Sequence, residues 1–399
     1  MATPLPPHID AGDEIYWSGI RDQYVLNDDL INLENGFFGV PSKPVMAAFE
    51  EYNRQVNCEG TFFMRNRYPQ RLEAAVQALA AFSGASEEEL LIVRNPTEAM
   101  NMLIQGYPFQ SDDEVVISNQ DYDSVEETLH MLQQRGRLKL VRIALPFHPQ
   151  SDEEIVGLYE QAITPRTRAL LVTHLLHRTG QILPVAKIAA MAQSRGVDVL
   201  VDAAHSFAHL DYRLPELGSA FVAAHLHKWL GAPLGVGLLY IRKDRVRDIA
   251  PLFGDTTHDP SDIRKLGHFG TTPPAPVMAI EDAIAFHNSI GGKNKEARLR
   301  YLKEHWVSRA RSLPGIELMV PEDPQRSCAI AAFRMKGKEA KEVADYLLQV
   351  HRIFTVATRV AGVDVVRVTP HLYNTPADLD RLLAALAQLA LLRPAVTMP

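Results

Sequence analysis

Cysteine is nearly absent. Cys58 and Cys328 are the two in 399 residues, too few and too far apart for a metal motif or a disulfide framework. Both thiols are expected to be reduced. Positive charge is outnumbered: 41 Lys and Arg against 48 Asp and Glu leave a formal net charge of −7, with no basic footprint for nucleic acid. No apolar run reaches the ~20 residues that a membrane span needs. The Ala- and Leu-rich stretch 380–392 is interrupted by Arg381 and Gln388 and reads as an amphipathic helix. The opening residues, MATPLPPHIDAGDE, contain no basic region leading into an apolar one, so no secretory signal is read there. Internal repeats and low-complexity tracts are also missing. The expectation is a soluble, cytoplasmic protein with neither nucleic acid nor membrane as partner. At 46% hydrophobic residues, the length suffices for one large domain and a smaller one.

What is present is an alternation. Residues 1–30 read as an irregular or helical arm, with Pro4, Pro6 and Pro7 resisting a helix at its start. A short strand at 31–33 leads to Asn35-Gly36 and Gly39, and Ser42 N-caps a helix to about 56. The aromatic, arginine-rich 61–68 reads as a loop; Arg65 and Arg67 either are solvated or face an acidic substrate or partner subunit. From there, predicted helices at 70–82, from 97, and at 124–134, 152–163 and 185–194 alternate with strands at 90–93, 114–118, 138–145 and 169–173. Further strands follow at 197–201, 220–224 and 235–241, and Gly196 closes the helix before them. Apolar strands alternating with amphipathic helices predict an α/β fold, a mainly parallel sheet of the seven-stranded type covered on both faces. After Thr272, Pro273 and Pro274 precede a helix at 276–289, broken by Gly291-Gly292, and a second helix to about 312. A strand at 328–335, a helix at 338–350, strands near 353–356 and 363–368 and a last helix from 377 make a smaller α+β unit. The expected division is an arm at 1–30 belonging with the small domain, a large domain at 31–272 and a small one at 273–399.

Chemistry gathers at the predicted strand ends, where open α/β sheets place ligand contacts. Asp202 ends one strand, and Lys228 follows the end of the next. An aspartate for a pyridinium nitrogen and a lysine for a Schiff base are what pyridoxal phosphate requires of its protein; the same pair also makes an ordinary surface salt bridge. Thr97, Glu98 and Ala99 open a helix, which is either an anion site made of free N–H groups or a plain capped start. Tyr122 either stacks on a flat ring or packs. His177 either bonds a phenolic oxygen or is a structural histidine. His225 and His227 share one face of an extended segment and suit a phosphate or a metal, but no third zinc ligand is tied to them. Arg367, at a strand end, either clamps a carboxylate with two prongs or lies on the surface. Asn35-Gly36 lets backbone approach a ligand, or is a turn.

In order and spacing, these motifs resemble fold-type I pyridoxal-phosphate enzymes of the class V aminotransferase group, which includes cysteine desulfurases. Within it, the chain looks most like the isopenicillin N epimerase-like branch, which also holds C–S lyases, over about residues 30–390. The resemblance implies a cofactor phosphate on Thr97, Glu98 and Ala99, supported by His225 and His227. It implies Tyr122 stacked on the ring with Ala204 on the other face, Asp202 at the ring nitrogen, and His177 and His205 near the phenolic oxygen. Lys228 would carry the Schiff base and act with Asp202, Tyr122 and His177 in catalysis. Arg367 would hold the substrate carboxylate, with Asn35 and Gly36 nearby. Thr271 would reach the phosphate of a neighbouring subunit, which implies a homodimer. The implied activity is epimerisation or lysis at Cα or Cβ of an amino-acid substrate. A C–S lyase or natural-product tailoring enzyme is the alternative, and a non-catalytic scaffold the alternative of another class. Joint presence of Asp202, Lys228 and Arg367 argues against the scaffold. Two departures stand out. Residues 352–363 lack the nucleophilic cysteine of desulfurases, and Cys328 falls in a predicted strand, which disfavours persulfide chemistry. His225 and His177 stand where many relatives have Ser and Asn.

Overall fold

Short apolar runs such as LLIV, TRALLVT and GLLYI build a seven-stranded sheet with little exposed backbone between helices. The computed structural model describes residues 7–391; Pro4, Pro6 and the expected helix end at Leu392 lie outside the described residues. In spatial order the strands are Leu90–Val93, Gly237–Ile241, Phe221–His225, Asp198–Asp202, Thr167–Thr173, Glu114–Ser118 and Lys139–Ile143. Neighbours pair in parallel except Gly237–Ile241, which runs antiparallel to both of its partners. Side chains alternate between faces. Val199 and Val201 enter a core with Ile188, Ala189 and Ala192, while Leu200 enters another with Met100, Leu103 and Leu129. Both faces are therefore covered. Register brings the chemistry together: Asp202 lies opposite Thr173 on one side and Ala223 on the other.

The smaller unit is a four-stranded antiparallel sheet ordered Val356–Val360, Val363–Val368, Ala331–Met335 and Ile316–Leu318. Its own core contains Trp306, Phe333, Leu347 and Leu386. The N-terminal chain joins this unit rather than the large sheet. Ile31–Asn32 pairs in parallel with Ile353–Phe354, and Glu34 bridges to Thr369. Before it, the helix Glu14–Arg21 is capped by Asp13 and held by the Glu14 carboxylate on buried Arg298.

Three local expectations are corrected. Residues 61–68 are not a loop: Thr61–Asn66 is helical, because burial of Phe63 against Ala275 and Met278 outweighs its weak local signal. The helix expected at 276–289 is two, Pro274–Met278 and Ile280–Ile290. The strand expected from Cys328 starts at Ala331, since Ala329 at φ +35° turns the chain first. Among the described residues no helix is long and apolar enough to cross a membrane.

The two units meet where Gly180 approaches Ile330. Gly180 has φ +74°, and a Cβ there would lie 1.8 Å from the Ile330 carbonyl oxygen. No side chain fits. Gly180→Ala is expected to cost at least ~2 kcal/mol, from combined strain and overpacking. Urea denaturation followed by circular dichroism measures it; an unchanged midpoint refutes this reading of the contact.

Candidate active site

Two neighbouring strand ends converge on one cavity. Asp202 closes the strand Asp198–Asp202 with its side chain turned inward, 3% exposed. Its Oδ1 accepts the Ala204 N–H at 2.8 Å. Burial pushes its carboxyl up, while the Ala204 N–H and the Lys228 charge oppose that shift. Lys228 lies three residues beyond the strand Phe221–His225. Its Nζ is 2.8 Å from His205 Nε2. Burial, assisted by the Arg367 charge, pulls this amine down to about 7 against the opposing pull of Asp202 and Glu34. The indole N–H of Trp229 donates to His205 Nδ1 at 3.4 Å. That assigns the imidazole proton to Nε2, where it donates to the lone pair of a neutral lysine. Burial, with the Lys228 charge, drives His205 well below the ordinary imidazole range, which agrees.

Thr97, Tyr122, His177, Asp202, Ala204, His205, His225 and Lys228 all line one cavity. Residues from five separate loops thus meet. Thr173 and Val125 line it too and carry no recognisable motif; the Thr173 hydroxyl donates to Asp121 Oδ1 at 2.6 Å. Both ring nitrogens of His177 and Nδ1 of His225 are buried without a partner among the described residues. Unsatisfied buried polar atoms cost ~1–3 kcal/mol each. They fit a ligand carrying a phenolic oxygen and a phosphate, with the Asp202 carboxylate to face a protonated ring nitrogen. These residues therefore fit pyridoxal phosphate.

Other expected residues stand elsewhere. Glu98 and Ala99 do not line the cavity. The Glu98 carboxylate accepts the Arg94 N–H at 2.8 Å, and its own N–H donates to Asn95 Oδ1 at 2.9 Å. Ala99 N–H donates to the Asn95 carbonyl at 3.2 Å. Asn95 caps the helix Pro96–Gly106, so the expected trio narrows to Thr97. His227 is turned away; its Nδ1–H donates to the Val236 carbonyl at 3.1 Å while its ring touches His225, 4.2 Å between centroids. Thr271 is exposed and outside this cavity.

Arg367 already holds a carboxylate. Its Nε donates to Glu34 Oε2 at 3.1 Å, a terminal nitrogen donates to Glu34 Oε1, and the other donates to the His177 carbonyl at 2.8 Å. Three of five N–H donors are in use, leaving one on each terminal nitrogen. Gly36 lies flat beneath: a Cβ there would sit 3.0 Å from the guanidinium carbon. Asn35 is buried and bonded internally, accepting from the Tyr373 hydroxyl at 2.6 Å and donating to the Thr369 carbonyl at 2.8 Å. Its role in the structure is to hold the segment and not to face a ligand. Glu34 went unnoticed because a glutamate before Asn-Gly carries no motif; only the bridge to Thr369 brings it to Arg367.

A titration follows. The Lys228 amine is neutral above about pH 7 in the cofactor-free protein. The rate at which that protein captures pyridoxal phosphate, followed by absorbance, should rise between pH 6 and 8 and then level off. A rate still climbing toward pH 10 would show an unshifted lysine.

Comparison with known proteins agrees with this geometry. The family model for Aminotransferase class-V matches residues 41–382. The chain is 27% identical over 387 residues to isopenicillin N epimerase of Streptomyces clavuligerus, covering 93% of this chain and 97% of that protein. It is 28% identical over 374 residues to a probable cysteine desulfurase of Methanothermobacter thermautotrophicus, covering 87% and 91%. Among solved structures it is similar to a C-DES mutant with glycine covalently linked to the PLP cofactor, at TM-score 0.81 and 21% identity, covering 92% of this chain and 98% of that one. The chain belongs to the class-V aminotransferase family, with the fold-type I architecture and pyridoxal phosphate as its cofactor.

Proposed function

We propose that this protein is an enzyme acting at Cα or Cβ of a free amino-acid-like substrate, with epimerisation at Cα as the leading reaction. The observation that carries the reading is a half-buried lysine amine sharing one cavity with a buried aspartate. When bound, pyridoxal phosphate supplies an electron sink that labilises bonds to the substrate Cα. Asp202 holds the ring nitrogen, Tyr122 and Ala204 the ring faces, His177 and His205 the phenolic oxygen. Thr97 and His225, backed by His227, hold the phosphate. Lys228 binds the cofactor, and its freed amine moves the Cα proton. The two remaining N–H groups of Arg367 bind the substrate carboxylate. Glu34 orients the guanidinium for that contact and offsets its charge. Inversion needs a second proton-exchanging group, and Tyr122 or His177 supplies it.

Similarity to the S. clavuligerus epimerase over nearly the whole of both chains supports epimerisation. Persulfide chemistry is opposed by the cysteines: Cys328 is fully buried with its thiol pushed up to about 12 by burial, Cys58 is exposed on the helix Lys43–Glu59, and neither lines the cavity. β-Elimination, which needs a leaving group and no thiol, is the second reading, favoured by the likeness to C–S-cleaving relatives. We also read the protein as a cytoplasmic homodimer. Thr271 is exposed outside its own cavity, where a group reaching a partner must lie, and exposed Phe37 and Phe62 offer apolar surface.

Incubating the holoenzyme with amino acids in D₂O tests the reaction. Cα deuteration with inversion is the expected result. Release of pyruvate would select elimination, formation of pyridoxamine phosphate would select transamination, and no exchange with any amino acid would reject the proposal. Arg367→Ala should raise KM for a carboxylate-bearing substrate ~10–100-fold, the loss of a charge-assisted pair. An unchanged KM would put the carboxylate elsewhere.

A further inference from the structure

Beyond Trp229, whose indole reaches His205, lies a second void. Measured in the same way, it is somewhat smaller than the active-site cavity. Ser42, His287, Lys295 and His371 are among the polar residues that line it, each less than a tenth exposed. Ser42 stands at the N-cap of the 17-residue helix Lys43–Glu59, yet its hydroxyl caps nothing and has no partner. Nδ1 of His287 and both ring nitrogens of His371 are likewise without a partner among the described residues. Lys295 Nζ donates to the Trp229 carbonyl oxygen and belongs to no ion pair among the described residues. No carboxylate lines the void; the rest of its wall is chiefly apolar, including Phe286 and Ile290.

The character of this wall is one-sided. A helix start contributes positive potential, Lys295 an amine with no carboxylate partner among the described residues, and Ser42 and the two imidazoles further donors. The charged groups that act on His287 and His371 are Lys295, Arg213 and His209, all basic. A cation is repelled. We propose that this void is a binding site for a small inorganic anion such as chloride, held by Lys295, Ser42 and His371. The anion compensates Lys295 where burial alone would pull its amine down to about 7. It thereby fixes the carbonyl of Trp229, the residue after Lys228. Trp229 is already stacked on His371, 5.2 Å between centroids and 7° from parallel.

The site is testable without any assay of turnover. Holoenzyme crystals grown in bromide should show an anomalous peak in contact with Lys295 Nζ, and that peak should disappear in Ser42→Ala or Lys295→Met. In solution, replacing gluconate by chloride at constant ionic strength should raise Tm by several degrees and saturate, as specific binding requires. Ser42→Ala, a small change at a helix end, carries the comparison if Lys295→Met does not fold. An ordered water without anomalous signal, or a Tm that does not respond saturably to chloride in the unmodified protein, overturns the proposal.

Discussion

A lysine amine and a carboxyl sharing one cavity, each pushed by burial toward its uncharged form, are the constraint around which this molecule is arranged. Taking either charge out of water is costly, so each is held by specific partners. Asp202 has the Ala204 N–H. Lys228 has the imidazole of His205, which is oriented in turn by Trp229. These partners come from loops that only the strand register brings within reach. A one-residue slip between the strands carrying Asp202 and His225 would turn the facing side chains to opposite sides of the sheet.

The second dependence runs between the two units. Arg367 sits in the small sheet, yet it bonds the His177 carbonyl in the large one and Glu34 from the N-terminal segment. Gly180, four residues from Leu176 in the same turn, packs against the Ile330 carbonyl. The loop carrying His177 is thus clamped from the small unit at two points. Substrate recognition and cofactor contacts share that loop, so displacement of one unit acts on both.

Much of this was legible in the sequence, for identifiable reasons. The strands Leu90–Val93 and Glu114–Ser118 were read to the residue, because runs buried on both faces have no polar interruption. Asp202 and Lys228 stood out because both follow such runs. What escaped depends on partners far along the chain. The helix Thr61–Asn66 exists through Phe63 and its distant neighbours. Glu98 and Ala99 sit at a helix start as expected, but Asn95, one position before that helix, takes their N–H groups. Glu34 meets Arg367 only through pairing across more than three hundred residues. Asn35 and His227 bond inward for the same kind of reason, since direction of a side chain is a tertiary property.

The segment from Ile31 to Gly39 starts as a strand in the small unit and ends pressed against the lysine: a Cβ on Gly39 would lie 2.3 Å from the Lys228 carbonyl oxygen. In between it supplies Glu34 to the arginine. A leash so short has no slack. Trimming or extending the chain at this point is therefore equivalent to an active-site lesion, and the protein's amino end is as much a part of its reaction centre as the strand ends in its middle.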